Sequence, residues 1–419
     1  MNTRKRKKSN WELKGAFDIQ ELPQVLVLDI LSRLSIKALY SCRSVCKDWL
    51  HIIHGSEFAR IQLRRPPISI LIKTSQRARA QRKLDLIQIA AGSGMRVERM
   101  RFSPMNVLPV HPVAAVELIN SSNGLLCIRQ CMNYRFLYVC NPILGEYIRI
   151  PDYNSLVDFV ALGFSTRNNE YKILQTSYYS DYDFELDAMI YTIGKSKVWR
   201  SIGKRPRSCR GGRIPFNSFL HGGIHWISDH DNPPSSIQCF DFEREEFRQL
   251  QLPLLNKYNG LRLGVLKGSL YLCVFEGDDR KCDLWVMKNY GVQQSWTKFC
   301  VIEHMYPSAL NMYEPVMFLS DVEILMASDK FVLSYNLVTK RLEKTRILRT
   351  RSQFLAFGYY PCFVSLHDVA NGEKVQRIRN NDKFESLLSE GRNVYADLIN
   401  SSFIERLIKD VLARLGFRV

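Results

Sequence analysis

Residues 122–151 read SNGLLCIRQCMNYRFLYVCNPILGEYIRIP, and the architecture can be approached from this stretch. A turn at Asn123-Gly124 opens an apolar run. After a gap comes a second run, rich in aromatic and β-branched residues and broken by polar turn residues. Short apolar runs bounded by Gly, Asn and Pro are the signature of antiparallel strands joined by tight turns. The same grammar returns in residues 221–253, HGGIHWISD followed by IQCFDFEREEFRQLQLP, and in residues 266–302, LKGSLYLCVFEG followed by a run from CDLWVM to WTKFCVI. Weaker copies occupy 162–176, 189–203 and 321–347. A unit of roughly 40–60 residues built from antiparallel strands predicts propeller blades. Each blade has an apolar face that only its neighbours can cover, and closing the ring hides sheet edges. We expect six blades, closed by strands near 68–72 and 84–89 pairing with a late segment such as 363–366.

Outside this region the texture changes. Residues 18–62 and the chain from about 371 to 419 have helical spacing. In the latter, Leu398, Phe403, Ile404, Leu407, Ile408, Val411, Leu412 and Leu415 form an apolar stripe, expected to pack on the β domain. The expected division is therefore a basic disordered tail at 1–17, a small three-helix module at 18–62, a β-propeller-like domain at 63–370 and a C-terminal helical segment at 371–419. The fold class is mixed and mainly β.

Composition narrows the function classes. The 419 residues are 46% hydrophobic and 24% charged, the balance of a folded chain. No apolar run approaches the roughly 18 residues that a membrane-spanning helix requires. The basic start MNTRKRKKSN is not followed by the apolar stretch of a signal peptide. The 11 cysteines are scattered without CxxC pairs, which fits reduced thiols in the nucleus or cytoplasm. Part of the net charge of +18 lies in the run Arg4, Lys5, Arg6, Lys7 and Lys8, which reads as a nuclear import signal or a solvated tail. More lies around Arg77, Arg79, Arg82 and Lys83 and in residues 203–213, GKRPRSCRGGR. No RNA-binding signature accompanies these loops, so nucleic acid is a minor reading.

Residues 22–63 read LPQVLVLDILSRLSIKALYSCRSVCKDWLHIIHGSEFARIQL. Pro23 suits a first helical turn. Leu22, Leu26, Ile30, Leu31 and Leu34 share one side of a helix, while Val25, Val27 and Leu28 place apolar groups around much of the rest. A second helix is expected over 36–50, with Leu39, Cys42, Val45, Cys46, Trp49 and Leu50 on one face. A third starts near Ser56, a good N-cap, and carries Phe58 and Ile61. Helices this short cannot bury so much apolar area among themselves, so either the β domain or another protein must cover it.

This run resembles an F-box, the motif that docks substrate receptors onto the Skp-family adaptor of SCF ubiquitin ligases. The marks are Leu22-Pro23, Ile30-Leu31, Arg33-Leu34, Lys37, Leu39, the block from Cys42 to Lys47 with Trp49, and Phe58. Val25 stands where the family often has Glu, and Ser35 where it often has Pro. By this resemblance the adaptor anchors are Leu22, Pro23, Ile30, Leu31, Leu39, Val45, Cys46 and Trp49. The later blocks resemble the F-box-associated, kelch-like domain found in a large group of plant proteins. Its marks here include Asn123-Gly124-Leu125, Asn141-Pro142, Gly163-Phe164, Tyr171-Lys172, Val198-Trp199-Arg200, His225-Trp226 and Phe240-Asp241.

Catalytic and metal readings find little footing. Gly194-Lys195-Ser196 resembles the end of a phosphate-binding loop, but Met189 holds the place of its first glycine and the local pattern is strand and turn. His221, His225 and His230 are close in sequence. On a strand, however, His221 and His225 would sit about 13 Å apart, too far to share a metal. Cys42 with Cys46, and Cys127 with Cys131, have no second ligand pair at fitting spacing, and GxSxG is absent. The resemblance implies a non-catalytic substrate receptor without cofactor or metal, joined through a Skp-family adaptor to cullin and RING subunits. Its target protein and recognition residues are not legible. A propeller enzyme, a scaffold, or an RNA-binding protein using the basic loops are the alternatives.

Overall fold

The structure, a computed structural model, describes residues 23–64, 69–74, 84–90, 96–102, 115–131, 136–151, 156–178, 186–206, 214–228, 236–255, 258–275, 281–303, 313–328, 331–345, 354–371 and 374–377. The basic tail, the basic stretch around 77–83, most of the loop at 203–213 and the C-terminal apolar stripe lie outside these residues.

The chain opens with α1 (Gln24–Ser32), α2 (Ile36–Cys42), α3 (Lys47–His54) and α4 (Ser56–Arg64). Sequence periodicity predicts one helix over 36–50, but two are found. The break falls at Cys46, whose backbone is extended (φ −151°) and whose Sγ accepts from Trp49 N at 3.4 Å, capping α3. Periodicity misses this break because Cys42, Cys46 and Trp49 keep apolar spacing across it. Ser35 caps α2 in the usual manner, its Oγ accepting from Ala38 N at 3.2 Å.

Six antiparallel sheets follow, the blades of a propeller. The first blade contains β1 (Ser69–Thr74), β2 (Leu84–Ala90) and β3 (Arg96–Phe102). The second contains β4 (Ala115–Ser122), β5 (Leu125–Cys131), β6 (Leu137–Asn141) and β7 (Glu146–Ile150). The third runs from β8 (Leu156–Ser165) through β9 (Glu170–Tyr178) and β10 (Leu186–Thr192) to β11 (Arg200–Arg205). In the fourth, β12 (Phe219–Leu220) and β13 (Gly223–Ile227) precede β14 (Ser236–Asp241) and β15 (Glu246–Gln251). The fifth begins at β16 (Gly260–Leu266) and β17 (Ser269–Phe275) and ends at β18 (Cys282–Met287) and β19 (Trp296–Ile302). The last comprises β20 (Glu314–Ser320), β21 (Glu323–Ala327), β22 (Val332–Asn336) and β23 (Arg341–Lys344). The repeated blocks of the sequence are strands two to four of the second, fourth and fifth blades. Each lacks only the strand before it, whose own turn signal is weaker.

Ring closure differs from expectation. The late strand that pairs with β1 is β24 (Phe354–Gly358), in register from Thr74 opposite Phe354 to Ile70 opposite Gly358. Residues 363–365 are irregular, and Leu366 begins the short helix α5 (Leu366–Ala370). The chain then adds β25 (Gln376–Arg377) to the outer edge of the second blade, pairing with β7. Seam cores form between neighbouring blades, as in the cluster joining Ile70, Ile72 and Phe354 to Val316, Leu325 and Val332. Burying these seams is what stabilises a ring whose blades make few other contacts.

Candidate functional site

The seam between the first two blades carries the helices. One apolar cluster joins Leu31, Ile36, Leu39, Ile53 and Phe58 of the helices to Leu71 and Leu86 of the first blade and Leu126, Ile128 and Tyr138 of the second. Ile36 N donates to Gln88 Oε1 at 2.9 Å in a buried hydrogen bond, and the Phe58 and Phe363 rings meet edge to face with centroids 6.2 Å apart. The β domain therefore covers much of the helical surface that cannot be buried locally.

It does not cover all of it. Of the eight expected anchors, Ile30, Leu31, Leu39 and Trp49 lie in that shared core. Pro23 is exposed, Val45 is 36% exposed and Cys46 is half-buried, while Leu22 lies outside the described residues. Val25 at 73% and Leu50 at 38% add open apolar surface that the expected anchor set does not include. Val25 is legible in the sequence as an apolar residue off the main stripe of α1, and Leu50 as the neighbour of Trp49. Cys42 is a core group, and burial pushes its thiol up to about 12. The open face presents apolar groups that can contact a partner.

The histidine cluster resolves differently. His225 is fully buried, with Nδ1 2.9 Å from Ser218 O and Nε2 2.8 Å from Tyr290 Oη. Because a carbonyl only accepts, Nδ1 carries the proton and Nε2 accepts from the tyrosine, so both ring nitrogens are engaged. Burial lowers its pKa to about 4. His221 sits in the preceding turn at φ 49°, its ring against Tyr290, and His230 lies outside the described residues. Gly194, Lys195 and Ser196 form a turn after β10, with the Lys195 and Ser196 amides both donating to Thr192 O.

Comparison with known proteins identifies both parts of the chain. Residues 19–60 match the family model of the F-box domain, and residues 99–359 match that of the F-box associated beta propeller domain. F-box protein At3g07870 of Arabidopsis thaliana is 26% identical over 323 residues, covering 70% of this chain and 75% of the relative. F-box protein CPR1 of Arabidopsis thaliana is 24% identical over 382 residues, covering 80% and 86%. Among solved structures, a putative TolB from Agrobacterium tumefaciens aligns over 71% of this chain and 99% of its own, with 12% identity and a TM-score of 0.36.

Proposed function

The chain belongs to the F-box proteins that carry an F-box associated beta propeller domain, and on that premise we propose that it is the substrate-recognition subunit of an SCF-type ubiquitin ligase. The helical module docks on a Skp-family adaptor, which links it to cullin and RING subunits, and the propeller holds a target protein for ubiquitination. The chain contributes no acid, base or nucleophile to that transfer. Its contribution is proximity and orientation, which act as a raised effective concentration of target beside the conjugating enzyme. A nuclear or cytoplasmic location fits this role.

The observation that carries the proposal is the apolar surface left open on the helices. After the propeller has taken Ile30, Leu31, Leu39 and Trp49, the residues Pro23, Val25, Val45 and Leu50 still face outward. Of the expected anchors, Pro23, Val45 and Cys46 would touch the adaptor directly. The four buried ones hold the helices in register beneath them.

The test is co-purification of the full chain with a recombinant Skp-family adaptor. We expect a stable complex that is lost in the Leu22→Ala, Pro23→Ala variant and in the Val25→Asp, Val45→Asp variant, both keeping the parent's thermal midpoint. No complex with the parent chain, or undiminished binding by both variants, would rule out this interface.

A further inference from the structure

A cleft of about 620 Å³ opens at the seam between the second and third blades, where three separated segments converge. The end of β7 supplies Arg149 and Pro151, the turn after β10 supplies Lys195 and Lys197, and the segment leading into β25 supplies Lys374. Gln376 pairs with Tyr147 in an antiparallel ladder. Lys374 lies two residues before Gln376 and lines the cleft together with Arg149. No carboxylate lines the cleft among the described residues. Lys195 is bound to Glu170 at 2.5 Å, and Arg149 lies 3.8 Å over the Phe136 ring, but Lys197 and Lys374 form no ion pair among the described residues.

Contacts tie the walls to the fold. Gly194 has φ 78°, and a Cβ there would come within 2.2 Å of Val369 O, so the turn carrying Lys195 and Lys197 is seated directly on the end of α5. That helix is itself anchored by Glu146, whose Oε2 accepts from Leu366 N at 2.7 Å and from Ser365 Oγ at 3.0 Å. Trp199 donates from Nε1 to Pro151 O at 2.9 Å and packs on Tyr191. A cationic site whose segments are tied to the fold by such contacts loses less entropy on binding than a free loop would.

We infer that this cleft receives a short acidic segment of the target protein, an extended run of Asp or Glu side chains. Its volume and the spread of cations over three segments exceed what one small anion fills. RNA is disfavoured because, among the described residues, the one aromatic that lines the cleft offers no platform: Tyr191 is only 2% exposed and its ring packs against Trp199. The identity of the segment as part of a target rests on the substrate-receptor reading, whereas the cleft's preference for acidic peptide does not.

The probe is a fluorescein-labelled polyglutamate peptide, with polyglutamine and a single-stranded RNA oligonucleotide beside it, titrated with the full chain and read by anisotropy at several salt concentrations. We expect polyglutamate to bind in a salt-sensitive manner and polyglutamine not to. The Lys197→Glu, Lys374→Glu variant should bind polyglutamate about tenfold more weakly or worse. The charge-matched Lys288→Glu, Lys340→Glu variant, altered on the fifth and sixth blades, should bind it normally. Equal loss in both variants, no polyglutamate binding by the parent, or tighter RNA binding abolished by the cleft variant would each overturn the assignment. Adaptor co-purification on the same samples separates the two readings. Loss of the adaptor with peptide binding intact would count against the ligase role and leave the cleft assignment standing.

Discussion

Asn120 and Leu162 join the second and third blades through a closed pair of hydrogen bonds: Asn120 Nδ2 donates to Leu162 O at 2.8 Å, and Leu162 N donates to Asn120 Oδ1 at 2.9 Å. The side chain thus acts as a short extra strand, satisfying both main-chain groups of Leu162 at a buried seam. A shift in the β4–β5 register between Leu118 and Asn120 accompanies this placement, consistent with a bulge re-aiming a side chain. Replacing Asn120 with Ala should lower stability by about 2–4 kcal/mol, because it leaves buried donors and acceptors unmatched. Urea unfolding measures this directly, and a change below ~0.5 kcal/mol would show that the seam does not depend on the pair.

Gly124 has φ 80°, and a Cβ there would lie 2.4 Å from Cys362 Sγ and 2.8 Å from Tyr360 O. Tyr359 Oη also donates to Gly124 O at 2.6 Å. Gly124→Ala therefore combines an unfavourable backbone with a clash against the segment that follows the closing strand. A loss of at least ~2 kcal/mol is expected, the sum of backbone strain and overpacking. Thermal unfolding checks it, and a neutral outcome would mean that this segment yields freely.

Lys172 is buried in the third blade and reaches Glu245 Oε1 at 2.8 Å and Phe242 O at 3.2 Å in the fourth. Glu245 also pairs with Arg200, so removing the lysine does not strand a lone charge. Lys172→Met is expected to cost about 2 kcal/mol, less than breaking an isolated buried pair. Lys195→Ala removes an exposed partner of Glu170 and should cost under ~1 kcal/mol. A chemical denaturation series that reversed this order would contradict the seam's dependence on Lys172.

His225 predicts a pH dependence. Its pKa falls from the ordinary histidine value of 6.5 to about 4 on folding because burial penalises the charged ring. Between those values the unfolded chain binds more protons than the folded one, so stability from the neutral ring is full above pH 6.5 and is lost as pH falls towards 4. The loss amounts to about 3 kcal/mol at most. His225→Gln should be less stable at neutral pH and show a shallower decline on acidification. Parallel pH profiles for the two proteins would show that His225 does not titrate in this manner.

The helical module and its family marks are legible in the sequence because they depend on residue identity at short spacing, as in Leu22-Pro23 or the block from Cys42 to Lys47. The break at Cys46 is not, since a thiol cap leaves the apolar period intact. The anchors illustrate a further limit. Leu31 and Val45 are both apolar marks at the expected spacing, yet one is fully buried and the other remains open. Nothing local distinguishes them, because the covering surface comes from the first two blades.

The chain's local grammar suffices for strand-and-turn blades in a ring and for an F-box-like start, because turns, strand length and helical faces are set by residues near one another. Three things come only with the tertiary structure: the pairing of β24 with β1, the seating of the helices on one seam, and the gathering of Arg149, Lys197 and Lys374 around one cleft. Each brings together groups far apart along the chain, as Asn141 and Val364 are at a separation of 223 residues. Such contacts are chosen by which surfaces remain uncovered once every blade has formed, a property of the assembled ring that no single segment encodes.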